Sequence, residues 1–209
     1  MARLITGLDA TKVRENAERI REKIGDAELL AAVKYVPLEE MEVLAEAGVT
    51  LLGENRAQDL AAKADAHPGT FRWHFIGQLQ SRKVKDLLPY VELIHSVASD
   101  SALRKLEQYG TPETEVLVEV NVAGDDDKAG IAPSALGEFI ARCPVAVVGL
   151  MTMPPFAEDP EASRPHFARL RELAAEHGLR HLSMGTSQDY EVAAQEGATI
   201  VRVGSSLYT

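Results

Sequence analysis

Three groups of residues in this chain could do chemistry together: Lys34, the small-residue turns Gly185-Thr186-Ser187 and Gly204-Ser205-Ser206, and Arg202. Lys34 follows the apolar run Leu29 to Val33, long enough for one buried strand, and Pro37 then opens a helical pattern. A lysine ending a buried strand loses hydration, its pKa falls, and the neutral amine becomes a nucleophile toward an aldehyde or ketone. The alternative is a lysine that snorkels from the strand end into water. Both glycine-containing turns follow strand-like runs, and turns of this kind can offer backbone N–H groups and hydroxyls to a phosphate. A helical pattern from Gln188 would aim its N-terminus at the same place. Taken singly, such tripeptides are ordinary turns.

Arg202 closes the last strand-like run, one residue before Val203-Gly204. It could donate to a pyridine nitrogen. Arginine keeps its proton, so that nitrogen would stay unprotonated and the ring would be a poor electron sink. The competing reading is a structural ion pair with a glutamate. A phosphate site beside an imine-forming lysine suits either bound pyridoxal 5′-phosphate (PLP) or an aldolase acting on a sugar phosphate. His74 and His95 alternate with apolar neighbours and read as core or rim histidines. No His, Cys or carboxylate spacing matches a metal site, and nothing resembles a nucleophile elbow. Arg82-Lys83-Lys85 is a small basic cluster, and Asp125-Asp126-Asp127 reads as a solvated loop.

Eight strand-like runs position these groups. The first leads to Lys34, and the others are Val49–Gly53, Phe71–Ile76, Val91–Val97, Val116–Val122, Val145–Met151, Leu179–Met184 and Ala198–Val203. Helical patterns separate them, stopped by Gly48, His67-Pro68-Gly69, Gly110, Gly178 and Gly197. A further helix precedes the first strand, with Asp9 as cap and Val13, Ala17, Ile20 and Ile24 on one face. Almost nothing follows the last strand. This alternation predicts α/β architecture with parallel strands, and eight units in 209 residues suit a single (β/α)8 TIM barrel spanning residues 1–209. The leading helix would cover the face that the missing final helix leaves bare. A doubly wound open sheet is the rival, weakened because the first strand-to-helix turn lacks the dinucleotide glycine fingerprint.

With 22 basic and 32 acidic residues the chain carries a net charge of −10, a surface that repels phosphate backbones and argues against nucleic-acid binding. Cys143 is the only cysteine, so no internal disulfide forms and a cytoplasmic location is expected. No apolar stretch is long enough for a signal peptide or membrane span.

Several segments, taken in order, resemble one family. They are Ala32-Val33-Lys34, Gly53-Glu54-Asn55, Trp73 to Lys83, Ile94-His95-Ser96-Val97, Val120-Asn121-Val122, Gly149 to Met153, Leu182 to Asp189 and Val201 to Gly204. The set is similar to the pyridoxal phosphate homeostasis proteins. The resemblance implies a barrel like the N-terminal domain of alanine racemase, PLP fold type III. It implies that Lys34 holds PLP as a Schiff base, that Asn55 lies beside the ring and that Arg202 faces the pyridine nitrogen. Ser187, Gly204 and Ser205, with the backbone around Gly185, would hold the phosphate.

The implied role is vitamin B6 homeostasis: storing PLP or delivering it to PLP-dependent apoenzymes, from a monomer without robust catalysis. The alternative is an amino-acid racemase-like PLP enzyme. That alternative is weakened because the chain stops after the barrel and Tyr208, the only tyrosine near its end, has no evident place opposite Lys34. Val33, Thr186 and the ending Leu207-Tyr208-Thr209 depart from the family's common residues without removing a proposed anchor.

Overall fold

Alternate residues of a strand face opposite sides of its sheet, and here the two sides are the inside and outside of a closed ring. The computed structural model describes residues 4–125 and 129–209. The strands are β1 (Glu28–Ala32), β2 (Leu51–Glu54), β3 (Arg72–Phe75), β4 (Leu93–Val97), β5 (Glu115–Glu119), β6 (Ala146–Met151), β7 (His181–Ser183) and β8 (Ile200–Val203). All neighbours pair in parallel, and β8 closes on β1 from Glu28↔Ile200 to Ala31↔Val203. The expected TIM-like barrel with a leading helix is therefore the fold.

An apolar cluster lies in the lumen: Leu30, Leu51, Leu93, Leu117, Val148, Met151 and Ile200, with Ile76 packed against them. The alternate residues, such as Ala31, Leu52, Trp73, Ile94, Val118 and Val201, face outward into a second, larger layer beneath the helices. Crossover helices are α2 (Met41–Glu46), α3 (Ala57–Ala66), α4 (Val84–Leu87), α5 (Asp100–Tyr109), α6 (Leu136–Ala141), α7 (Arg164–Glu176) and α8 (Tyr190–Gln195). None is long and apolar enough to cross a membrane.

The leading helix, α1 (Ala10–Ile24), is capped by Asp9, whose carboxylate accepts from Lys12 N at 3.0 Å. Its buried stripe is Val13, Asn16, Ala17, Ile20 and Ile24, and it packs on β1, α2 and α8. The expectation of almost nothing after the last strand needs correction. A final turn of helix, α9 (Ser205–Tyr208), follows β8 and packs on α1. Four residues are too few to show helical periodicity in sequence. Asn16 ties the two together by donating to Leu207 O at 3.1 Å and Thr209 O at 3.0 Å.

Two boundaries matter for the site. The run predicted to bury Lys34 ends earlier, because β1 stops at Ala32 and Val36 N turns back to Val33 O at 3.0 Å. The helix expected from Gln188 starts at Tyr190. Asp189 Oδ1 instead braces a turn, accepting from Thr186 N at 2.7 Å and Thr186 Oγ1 at 3.0 Å. Of the acidic run, Asp126 and Asp127 lie outside the described residues.

Candidate functional site

The C-terminal ends of β1, β2, β7 and β8 surround a cavity of about 390 Å³, within the size range of cofactor sites. Six of the seven residues expected from sequence line it: Lys34, Asn55, Ser187, Arg202, Gly204 and Ser205. The seventh, Gly185, stands behind the wall. Its φ is +88°, and an added Cβ would lie 2.5 Å from Ala193 Cβ, so only glycine fits. Its carbonyl accepts from Arg202 N at 3.0 Å, which locks the β7 turn to β8.

Lys34 sits on the rim. Of its two readings, desolvated strand end or side chain reaching water, the structure shows the second: the side chain is exposed, with Nζ 4.7 Å from the centroid of the Tyr35 ring. The backbone leading to it is held firmly. Ala32 O accepts from Tyr208 Oη at 3.2 Å, and Val33 O accepts from Lys63 Nζ at 2.8 Å. Lys34 is thus a reachable amine on a fixed stem.

Asn55 follows β2, and its Oδ1 is buried with no hydrogen-bond partner. A buried amide oxygen left unpaired costs about 1–3 kcal/mol, which a donor on a bound molecule would offset. The opposite wall is a cup of amides and hydroxyls. Ser187 Oγ accepts from Gly204 N at 3.0 Å and Ser206 N at 3.4 Å, and Ser206 Oγ donates to Ser187 O at 3.2 Å. The two N–H groups converge on Ser187 Oγ, and an anionic oxygen could take that hydroxyl's place as their acceptor.

Arg202 closes the side between cup and rim. The competing reading of an ion pair with a glutamate is not what the structure shows: among the described residues Arg202 forms no salt bridge. Nη1 donates instead to Ser183 Oγ at 2.5 Å, and Nη2 to Thr152 O at 2.9 Å. Burial pushes the guanidinium down to about 10, against the fields of Asp189 and Glu119, so it stays protonated near neutrality.

Reading from sequence misses Ser183 and Thr152, the partners that hold Arg202. The signal available was a polar residue at an inward position of β7. It also misses Glu54 and Lys63, buried behind the cavity and joined at 2.6 Å, and the apolar wall of Ile76, Tyr35 and Met153. Arg82 and Lys83 line a separate recess beside Arg56, while Asn121 holds Asp125 O at 2.7 Å.

The arrangement can therefore take a molecule with an amine-reactive carbon at Lys34, an anionic group at the Ser187–Gly204 cup and an acceptor facing Arg202. PLP has all three, and the Asn55 side-chain amide stands where it can meet a polar substituent of the ring.

Comparison with known proteins points the same way. Residues 8–209 match the family model described as alanine racemase, N-terminal domain. The chain is 41% identical over 216 residues to the pyridoxal phosphate homeostasis protein of Aquifex aeolicus, covering 95% of each. It is 35% identical to that of Pseudomonas aeruginosa, over 95% of this chain and 91% of the other. PipY of Synechococcus elongatus PCC7942, solved with PLP bound, superposes with a TM-score of 0.83 at 29% identity, over 94% of this chain and 100% of that one. Alanine racemase from Corynebacterium glutamicum shares the fold alone, with a TM-score of 0.75 at 18% identity over all of this chain and 63% of its own. The chain belongs to the pyridoxal phosphate homeostasis family.

Proposed function

We propose that this protein binds PLP covalently through Lys34 and serves vitamin B6 homeostasis as a store or donor of the cofactor. The observation that carries this reading is the convergence of Lys34, Asn55, Arg202 and the Ser187–Gly204–Ser205 cup on one cavity. When bound, PLP supplies an aldehyde that amines capture reversibly and a pyridine ring that can withdraw electrons. Lys34 would hold the group through its amine, because an aldehyde condenses reversibly with a primary amine and releases water. An exposed lysine favours this exchange in both directions, because incoming amines and water reach the same carbon.

Asn55 orients the ring through its side-chain amide. Ser187, Gly204 and Ser205, backed by Gly185, bind the phosphate. Arg202 donates to the ring nitrogen without yielding its proton, which keeps the ring a weak electron sink and suits storage better than turnover. The acceptors on this reading are PLP-dependent apoenzymes, met by a monomer in the cytoplasm.

The racemase alternative needs a second acid–base group within reach of the reacting carbon. Tyr208 does not supply it: its hydroxyl is buried on Ala32 O, and burial raises its pKa far above the usual phenol range. The test uses protein loaded with PLP and freed of unbound cofactor. It should show a visible absorbance band missing from Lys34→Ala, restore activity to a PLP-dependent apoenzyme, and leave L-alanine unracemised. A band retained in the variant, or robust racemisation, contradicts the proposal.

A further inference from the structure

A row of buried polar side chains runs from the cavity through the barrel lumen. Arg202 Nη1 donates to Ser183 Oγ at 2.5 Å. Ser183 Oγ lies 2.8 Å from His95 Nδ1, and His95 Nε2 lies 3.0 Å from His74 Nδ1. His74 Nε2 then stands 3.9 Å from Glu92 Oε2, at the opposite mouth, where Glu92 pairs with Arg72 at 2.9 Å. The four inner members are 0–6% exposed. They come from β8, β7, β4 and β3. Side chains from strands as distant as β4 and β7 can meet only inside the barrel.

The polarity of the row is fixed from one end. A guanidinium only donates, so Ser183 Oγ must accept from Arg202. The hydroxyl has one proton, and the remaining neighbour able to take it is His95 Nδ1. His95 then carries its own proton on Nε2 and donates to His74 Nδ1. His74 is left with Nε2–H facing the Glu92 carboxylate. Burial holds both imidazoles neutral, His74 down to about 4 and His95 well below the usual range. A neutral imidazole accepts at one nitrogen and donates at the other, as this row requires.

We propose that Ser183, His95 and His74 are positioning residues whose one-way hydrogen-bonded row presents the Arg202 guanidinium to the ring nitrogen of PLP. This rests on the reading of Arg202 given above. Arg202 is aimed by the Ser183 lone pair and the Thr152 carbonyl, and among the described residues it forms no ion pair. If the serine proton rotated toward Arg202, one of those two acceptors would be lost. His95 prevents that rotation by taking the proton, and His74 keeps His95 in the tautomer that can do so.

The test compares PLP affinity, the visible spectrum of the loaded protein and thermal melting of the unloaded protein. The variants are Arg202→Leu, Ser183→Ala, His95→Leu and His95→Gln. Ser183→Ala and His95→Leu should weaken PLP binding roughly tenfold, the worth of one charge-assisted hydrogen bond. They should also move the absorbance maximum in the same direction as Arg202→Leu. His95→Gln should restore both, because an amide can accept from Ser183 and donate to His74. Ser183→Ala removes one atom from a buried site, so it keeps the test open if His95→Leu fails to fold. Unchanged spectrum and affinity in Ser183→Ala, with a shift in Arg202→Leu, overturns the row's role and leaves the Arg202 reading standing. An unchanged spectrum in Arg202→Leu overturns both.

Discussion

Lys63 Nζ and Glu54 Oε2 meet at 2.6 Å in the wall behind the cavity, both buried, and together they fix the two strand ends that carry Lys34 and Asn55. Lys63 donates to Val33 O, next to Lys34, while Glu54 Oε1 accepts from Asn55 N at 2.6 Å and Arg56 N at 3.2 Å. Removing one partner strands a buried charge, which costs about 3–5 kcal/mol. Lys63→Met should therefore lower stability by about that much in urea titration, and Lys63→Met combined with Glu54→Leu should recover part of the loss. A single variant as stable as the parent would show that the pair contributes nothing to holding this wall.

Gly185→Ala should be costly despite adding one methyl group. The position combines φ of +88° with the close approach to Ala193 Cβ. Strain and overpacking together predict a loss of roughly 2–4 kcal/mol. PLP affinity should fall as well, since the β7 turn carries Ser187. Thermal melting and a PLP titration of the variant check both; an unaltered melting temperature would rule out the strain.

Stability should fall on acidification because of the lumen histidines. His74 has a folded pKa near 4 against an ordinary value of 6.5. Between those values the unfolded chain takes up a proton that the folded chain refuses. The contribution is fully present above pH 6.5 and is lost as pH falls toward 4, amounting to about 3 kcal/mol. His95 acts in the same direction. Urea midpoints at several pH values should slope less steeply in His74→Gln than in the parent, and parallel slopes would contradict the assignment.

Much of this was legible in sequence because it is local. Apolar runs of strand length, glycine and proline stops, and the Asp9 cap are set by neighbouring residues, so the barrel and its leading helix could be read directly. The strand-end residues followed, since a parallel barrel gathers them on one face. What failed depended on distant partners. Lys34 is exposed because the chain turns after β1, a matter of where Val33 pairs with Gly53. That Arg202 is held by Ser183 and Thr152 could not be read, because only the closed ring places them beside it. His74 and His95 look like two ordinary core histidines until β3 and β4 set them side by side, with Ser183 reaching them across the lumen.

Lys34 itself contributes little to the fold. Among the described residues its exposed side chain makes no hydrogen bond or ion pair, so Lys34→Ala should change stability by no more than about 0.5 kcal/mol. Covalent attachment of PLP to Lys34 is tested by borohydride reduction of the protein after incubation with PLP, followed by mass mapping of its peptides. Attachment at Lys34 should give a bleached visible band and a pyridoxyl adduct on the peptide containing Lys34, with no adduct in Lys34→Ala. A protein that stays colourless and unmodified, or an adduct on another lysine, would contradict it.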